Sequence, residues 1–396
     1  MRRLPTGLAR AGIALLGAAC SSHHAAPATG TGTGTGTTSS PACAAAAAPK
    51  PGPSPIRRLT HFEYDNTLRD LLDDDSHPSA SFPPDEKLSL FDNDGDAQTV
   101  TRLLAEGYMN AAEGAAARAL VDATKFPCAV STADDACAAA FIADFGQRAF
   151  RRPLDDDDRA DLLAAFDTGA AEGGPAEGFA GVIEVALQSP EFLYRAELGA
   201  PDQVSGASVV ALTPWETAAR LSYWFWGTMP DGPLFEAAQT KALDTADGVR
   251  AEAERMLGDP KTRLTMAHFF EQFLELDQLD DLEKDSSIYP SFEPALRTEF
   301  RGETVAFVDS VMWNGDAHLA TLLTAPYTFV NGKLAAFYGM PPIDGTTFRR
   351  VDVDPVTRGG LLTQGSFLAT RAKFDQTSPV YRGKFVRERL FCTTPS

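Results

Sequence analysis

Few side chains in this 396-residue sequence have the type and spacing that catalysis needs, and His268 is the first candidate. The apolar pattern predicts a helix over 263–276, which places Glu271 three residues and Gln272 four residues after the imidazole. An imidazole and a carboxylate on one helix face can transfer protons or bind a metal. No second histidine lies nearby in the sequence, and three phenylalanines follow closely. We therefore interpret His268 as a packed or surface residue.

Three other segments resemble functional sites but have simpler structural explanations. The acidic segment 91–96 resembles the start of a calcium loop, but its glycine is in the fourth position counted from Asp92 instead of the sixth, which predicts an acidic turn. The aromatic run 223–226 resembles a sugar-stacking surface, yet residues from Trp215 onward recur at helical spacing and predict a buried face. His61 lies beside Glu63, whose capping role explains the pair. No Gly-x-Ser-x-Gly or phosphate-binding glycine loop occurs, so we assign no catalytic residue, cofactor-binding residue or metal ligand.

The first twenty residues predict export. Arg2, Arg3 and Arg10 form a positively charged segment before an apolar run over 11–19. This run is too short to span a bilayer and ends in small residues, as in a signal peptide. The residues up to Cys20 resemble the bacterial lipoprotein signal, in which the cysteine is lipidated. That resemblance predicts lipid attachment at Cys20 and a membrane partner. Ordinary cleavage after small residues is the alternative.

Residues 21–56 predict a disordered tether. The segment consists of a Thr-Gly alternation, an alanine run and several prolines, and it has too few apolar side chains to offset the entropy of ordering. With a lipid at its start, such a tether would leave the folded part of the protein in the periplasm or at the outer surface. An envelope protein or a polysaccharide is the partner expected there.

The remaining sequence has the composition of a globular protein. Hydrophobic residues make up 44% and aromatic residues 9% of the chain, which is enough to build buried cores. The formal charge of −19 disfavours nucleic acid as a partner, because binding to phosphates needs basic surface. We interpret acidic runs such as 73–75 as solvated surface.

The cysteines predict one disulfide. Cys128 and Cys137 flank a short polar loop before an apolar-periodic helix, and an oxidising compartment permits their pairing. A bridge there would stabilise the fold by about 2 to 3 kcal/mol through loop entropy. Two free buried thiols are the alternative. The pairing of Cys43, in the tether, and Cys392, near the C-terminus, stays open.

The pattern of helix starts predicts a mainly α fold, a multi-helical body with few short strands. Small oxygen-bearing residues precede proline or a capping carboxylate at Thr60, Asp155, Ser189, Thr213, Asp259 and Ser378. After Asp155, the residues Leu162, Leu163 and Phe166 are expected to form a buried stripe. Strand signals are confined to 208–212 and 347–353, which could equally be extended connections.

These observations suggest a division into segments. We predict a signal peptide over 1–20, a disordered linker over 21–56, an N-terminal helical domain over 57–125, a helical domain with the disulfide over 126–204, a central helical domain over 205–345 and the start of a further domain over 346–396.

Several strings resemble a family of large exported bacterial proteins built from successive domains of unknown function. They follow one another in the family's order and include FGQRAFRRPL at 145–154, SPEFLYR at 189–195, RLSYWFW at 220–226, RGGLLTQ at 358–364 and TSPVYRG at 377–383. The family is named in part for its association with planctomycete cytochrome c segments and is common in myxobacterial-type genomes. The resemblance covers essentially everything from Arg57 onward.

The resemblance implies no activity, but it does imply a longer protein. Family members continue through a proline-rich stretch into a region with a Cys-x-x-Cys-His segment suited to haem c. This sequence ends at Ser396, where that continuation would begin, and it contains no Cys-x-x-Cys and no Cys-x-x-Cys-His. We therefore expect an incomplete C-terminus, with no cofactor in this chain and haem c in a longer form.

Two functions follow as hypotheses. The first, which we favour, is a non-catalytic, lipid-anchored envelope protein that acts as a scaffold or binding module for a surface redox or polymer-processing assembly. The second is an extracytoplasmic enzyme or oxidoreductase whose haem c segment lies beyond residue 396.

Overall fold

In the computed structural model of the protein, residues 52, 54–87, 90–200 and 209–393 are described. They form fifteen α-helices and four short strands, so the predicted mainly α fold class is confirmed. Two compact units divide the chain, one over Pro51–Phe273 and the other from Leu274 onward. This boundary falls inside the segment 205–345 that the sequence analysis treats as one domain, and the division into domains stays a prediction.

Several sequence-based predictions concern residues outside the described ranges. These are the signal peptide over 1–20, the lipidated Cys20, most of the linker with Cys43, and Ser396. Among the residues described, none of the helices combines the length and the apolar character that crossing a bilayer requires.

The unit Pro51–Phe273, called the N-terminal unit below, holds the first ten helices and a small antiparallel sheet. The described elements are β1 Arg57–Arg58, α1 His61–Leu72, α2 Arg102–Ala119, α3 Asp135–Phe150, α4 Asp156–Gly173, α5 Pro175–Gln188, α6 Pro190–Leu193, β2 Tyr194–Arg195, α7 Pro214–Trp226, α8 Gly232–Gln239, α9 Ala246–Leu257 and α10 Pro260–Phe273.

The core of the N-terminal unit forms where α5 packs between α2 and α4. Phe179 of α5 is fully buried, and its ring centroid lies 4.9 to 5.1 Å from those of Phe126, Phe141 and Phe166. Fully burying one such side chain stabilises a fold by about 1.5 to 3 kcal/mol. On α2, alanines such as Ala112 are fully buried, which lets the helices approach closely.

The predicted helix starts are confirmed. Thr60, Asp155 and Thr213 each form a capping box with the acidic residue three positions later. Helices also begin at Pro190, Pro260 and Pro379, directly after the predicted caps. These starts depend on residues within one helical turn, which is why the sequence alone reveals them. The helix predicted over 263–276 begins earlier, at Pro260, and ends at Phe273, since Glu275 has a left-handed backbone with φ 54°.

The predicted disulfide is confirmed. Cys128 and Cys137 are bonded, with their Cα atoms 6.1 Å apart. Helix α3 begins at Asp135, so the bridge fixes its first turn to the preceding loop. Asp134 caps the same turn by accepting a hydrogen bond from the Cys137 amide at 2.9 Å.

The two-residue strands β1 and β2 form the sheet of the N-terminal unit, which the sequence analysis missed. Arg57 lies opposite Arg195, and Arg58 lies opposite Tyr194. The side chain of Arg58 is buried and donates to the hydroxyl of Tyr108 at 2.7 Å. Strands of two residues are too short to show an alternation of apolar and polar side chains in the sequence. Buried side chains hold the two strands together.

The chain from Leu274 onward, called the C-terminal unit below, has five described helices and a two-stranded sheet. They are α11 Leu296–Trp313, α12 Leu319–Thr324, β3 Tyr327–Val330, α13 Gly332–Phe337, β4 Arg349–Asp352, α14 Gly365–Thr370 and α15 Pro379–Phe385. β3 and β4 pair antiparallel, with Tyr327 opposite Asp352. β4 lies within the predicted extended segment 347–353, whereas β3 was not predicted, and residues 209–212 form no strand.

Two smaller expectations are wrong. Leu163 is 39% exposed, while Leu162 and Phe166 are buried, because α4 presents a narrow apolar stripe. Asp74, in the acidic run 73–75, is buried as well, since Arg118 of α2 donates to both of its carboxylate oxygens, at 3.0 and 2.6 Å. An ion pair with a distant helix is invisible in a local run of acidic residues.

Candidate functional site

An open cleft of about 840 Å³ lies in the N-terminal unit. Its walls come from the residues around β1, the start of α1, the acidic turn 91–96, and residues of α7 and α10. This size is in the range of small-molecule sites in proteins. The cleft combines aromatic with charged side chains, and its aromatic side chains are Phe62, Phe91, Tyr223, Trp224 and Phe269.

Trp224 gives the cleft an exposed aromatic surface. Its side chain is 57% exposed, whereas Tyr223, Phe225 and Trp226 are buried. The prediction of a buried aromatic face is therefore right for three residues of this run and wrong for Trp224. Its position two residues from Trp226 turns it about 200° around the helix, so helical spacing could have identified it.

His268 projects into the cleft from α10 and is held by side chains from other segments. Its Nε2 lies 2.8 Å from Oδ2 of Asp92 and 2.6 Å from Nε2 of Gln272. The imidazole stacks on Phe62, with ring centroids 4.2 Å apart. Gly227, at the end of α7 with φ 60°, leaves the space that this phenylalanine ring occupies.

The carboxylate partner of His268 is Asp92, not Glu271. The amide of Asp92 donates to Oε1 of Gln272 at 2.8 Å, which orients the side-chain amide toward the imidazole. Burial opposes ionisation of Asp92, but hydrogen bonding and charge from His268 outweigh it, so its pKa is lowered. When Nε2 of His268 carries a proton and donates it to this carboxylate, Nδ1 keeps a lone pair that can accept one.

Glu63 and Arg195 form a second pair in the cleft. Arg195 Nη2 donates to Oε1 of Glu63 at 2.9 Å, and the guanidinium carbon lies 4.6 Å from the ring centroid of Tyr223. The other oxygen of Glu63 accepts the Thr60 amide of the capping box at 3.1 Å. Burial raises the pKa of Glu63, although the charge of Arg195 opposes that shift. Arg195 Nε is buried and has no hydrogen-bond acceptor.

A third pair joins α7 to the segment after β2. Arg220 Nε donates to Glu197 at 2.7 Å. Arg57 also lines the cleft and is exposed, but its side chain makes no hydrogen bond and no ion pair with the described residues. Burial alone would raise the pKa of Glu197, but the hydrogen bond and charge of Arg220 lower it. The charge of Arg57 adds to this lowering.

The remaining candidates lie in simpler surroundings. The ring of His61 packs edge-on against Phe82, with centroids 5.5 Å apart, and its Nε2 lies 3.7 Å from Asp85. In the described ranges, no group of three histidine, cysteine or acidic side chains is arranged to hold a metal ion. The arrangement around Trp224 is therefore the strongest candidate binding site in the N-terminal unit.

Four family profiles match the chain, and each describes a protein of unknown function. They are PSD3 (DUF1587) over 57–121, PSD5 (DUF1595) over 137–197, PSD4 (DUF1592) over 212–340 and PSCyt3 (DUF1588) over 358–396. These are the planctomycete cytochrome c-associated domains, in a multi-domain arrangement. The chain belongs to this cytochrome c-associated family. No curated protein and no solved structure matches it.

Strings that identify the cytochrome c-associated family meet in space in the N-terminal unit. Arg151, from FGQRAFRRPL, is buried, and its Nη2 lies 2.6 to 3.0 Å from the carbonyls of Glu191, Phe192 and Tyr194 in SPEFLYR. Arg148 of the first string donates to the Asp70 carbonyl at 2.8 Å. Both arginines join helices that are far apart in sequence, so they have a structural role.

In the C-terminal unit, a buried glutamate lies close to the RGGLLTQ string. Glu303 of α11 accepts hydrogen bonds from Tyr338 at 2.5 Å and from Thr328 of β3 at 2.6 Å. Burial raises its pKa, although these bonds oppose the shift. The guanidinium carbon of Arg358 lies 3.7 Å from the ring centroid of Tyr338. This network ties α11 to β3, α13 and the RGGLLTQ segment, and we assign it to folding.

Proposed function

We propose that this protein is exported and lipid-anchored at Cys20, and that it binds an envelope polysaccharide in the cleft of the N-terminal unit. In this proposal it is a non-catalytic binding module of a surface polymer-processing or redox assembly. The observation that carries the proposal is the exposure of Trp224 in a cleft where three acidic side chains are each held by a partner. The signal-like residues up to Cys20 and the tether after them support a location at the cell surface.

The chemistry of the cleft suits a sugar. An exposed indole offers a flat apolar face on which the C–H groups of a pyranose ring can pack, while its surroundings stay hydrated. Sugar hydroxyls need donors and acceptors at fixed positions, and Glu63, Asp92 and Gln272 are held by hydrogen bonds. Groups that are already oriented lose little entropy when a ligand binds. An open cleft also lets a long polymer enter without threading.

Titration of the purified full chain with oligosaccharides tests the cleft. We would measure affinity by calorimetry for hexasaccharides of glucose, xylose and galacturonate. The variant Trp224→Ala should weaken binding by about 10- to 100-fold, because it removes roughly 1.5 to 3 kcal/mol of apolar contact. Phe374→Ala is the matched control, since Phe374 is a similarly exposed aromatic of the C-terminal unit, at 54%. Equal affinities for Trp224→Ala and the parent chain, or no binding of any sugar, would refute the proposal.

A separate experiment tests the proposed export and lipid anchoring. Cells expressing the full chain are grown with labelled fatty acid, and the protein is recovered from membrane and soluble fractions. We expect label and membrane association for the parent chain, and neither for Cys20→Ala. An intact mass with a haem stain on the native protein reports whether a longer, haem-bearing form exists. An unlabelled parent protein in the cytosolic fraction would contradict both export and anchoring.

An enzyme acting on the same polymer is the second candidate, and the His268 and Asp92 pair favours it. In the tautomer whose Nε2 donates to Asp92, the imidazole keeps a lone pair on Nδ1 that can take a proton from a bound sugar or water. Glu63, with its raised pKa, lies close enough for its charge to act on both groups. Release of new reducing ends by the parent chain, and its loss in His268→Gln, would favour catalysis. We derive no step through haem, because the sequence has no Cys-x-x-Cys-His.

A further inference from the structure

The cleft contains two arginines that the fold does not need to place together. Arg57 and Arg195 lie directly opposite each other in the antiparallel pair of β1 and β2, and both line the cleft. Side chains at directly opposite positions of an antiparallel pair lie on the same face, where like charges destabilise the sheet. From this juxtaposition we infer that the cleft recognises a sugar bearing a carboxylate, with Arg57 and Arg195 as its anchors. The inference rests on the proposed function and specifies its ligand.

The hydrogen bonding of the two arginines leaves capacity for an anion. Arg195 gives Nη2 to Glu63, and its Nε is buried, out of reach of a ligand in the cleft. Arg57 is exposed and has neither a hydrogen bond nor an ion pair within the described part of the chain. A guanidinium binds a carboxylate through two parallel N–H donors, so Arg57 can receive a ligand carboxylate while the charge of Arg195 lies on the same face.

The charges of the cleft also favour an anionic ligand. Glu63 pairs with Arg195 and Glu197 pairs with Arg220, while Asp92 is held by a hydrogen bond to His268. Among these described lining residues, Arg57 is the arginine without an acidic side chain of its own. A positive charge retained in a chain with a net charge of −19 attracts an anionic ligand locally, although the whole protein repels it. Together with the exposed indole, this arrangement fits a uronate residue of an acidic polysaccharide.

Binding of charged and neutral forms of one saccharide tests this inference. The probes are a galacturonate hexasaccharide and its methyl ester, which has the same sugar backbone but carries an uncharged methyl ester in place of each carboxylate. We expect the full chain to bind the charged form at least tenfold more tightly at low ionic strength, and we expect added salt to reduce only that advantage. Arg57→Gln should lower the ratio of the two affinities toward one.

The control variant is Arg102→Gln, because the side chain of Arg102 is 93% exposed and does not line the cleft. Arg195→Gln is not used, since it would leave Glu63 buried without its partner. Equal affinities for acid and ester, or an Arg57→Gln variant that keeps the full preference, would overturn the carboxylate inference while polysaccharide binding stands. A sulfated saccharide that binds as tightly would also overturn it. Absence of binding to every saccharide would overturn both proposals.

Discussion

Replacing Arg151 by methionine should remove one of the main tertiary connections of the N-terminal unit. The Arg151 guanidinium donates from Nη2 to the carbonyls of Glu191, Phe192 and Tyr194, and from Nη1 to the hydroxyl of Tyr223 at 3.3 Å. The side chain is 4% exposed, so water cannot replace these bonds. Methionine keeps the length of the apolar stem but has no donor. Arg151 has a left-handed backbone with φ 59°, and the steric cost of that conformation is similar for arginine and methionine, since both carry a Cβ.

The expected loss of stability follows from the number of protons that Nη2 of Arg151 can donate. Nη2 carries two protons for three carbonyl oxygens, so we count two full charge-assisted bonds. Each such bond stabilises a fold by about 1.5 to 3 kcal/mol, and relief of the buried charge of Arg151 offsets part of the loss. We therefore expect the free energy of unfolding to fall by about 3 to 5 kcal/mol. For a unit of this size the midpoint of thermal unfolding should drop by roughly 6 to 20 °C.

Thermal unfolding of the full chain measures this shift, and hydrogen exchange at the amides of 189–195 reports it locally. The matched control is Arg102→Met, because Arg102 is an exposed arginine that pairs with Glu106 on the same helix at 2.9 Å. Such surface pairs contribute about 0 to 1 kcal/mol. A loss below about 1 kcal/mol for Arg151→Met, similar to that of the control, would refute the argument that Arg151 holds SPEFLYR in place.

Two further predictions concern the disulfide and the buried glutamate. The double change Cys128→Ser and Cys137→Ser should lower the free energy of unfolding by about 2.6 kcal/mol, because the bridged cysteines are nine positions apart in sequence and loop entropy sets the effect. Denaturant unfolding with and without reductant checks this, and a parent chain that reductant leaves unchanged would contradict it. For Glu303, the raised pKa means that the folded state favours the protonated form, so its contribution to stability is present below pH 4.5 and is lost as the pH rises through the folded pKa. The midpoint of the parent chain should therefore fall relative to that of Glu303→Gln as the pH increases, and a constant difference would count against the burial of an uncompensated carboxylate.

Local sequence determined the features that depend on neighbouring residues. Helix starts such as Thr60 and Thr213 were predictable, because a cap and its glutamate lie within one turn. The bridge between Cys128 and Cys137 was predictable for the same reason, since a short loop keeps the thiols close. The family strings, each contiguous, identified the cytochrome c-associated domains.

The cleft was not predictable in this way, because its members are far apart in sequence. His268 meets Asp92 across 176 positions, and Arg195 meets Glu63 across 132. The sequence analysis considered only Glu271 and Gln272, on the same helix, as neighbours of His268 and interpreted it as a packed or surface residue, since helical spacing is the only relation that a single sequence shows. Trp224 was counted with its buried neighbours, although its position on the opposite face of α7 was available from spacing.

The amino-acid sequence by itself thus determined the helical composition, the capped helix starts, the disulfide and the family, because each depends on short-range order along the chain. Only the tertiary structure decided which charged side chains pair and which stay open. Packing of α7 and α10 around the residues near β1 brings Arg57, Glu63, Arg195, Trp224 and His268 to one cleft. The burial of apolar side chains drives that packing. The sequence spacing of the polar residues in the cleft therefore does not reveal that they meet.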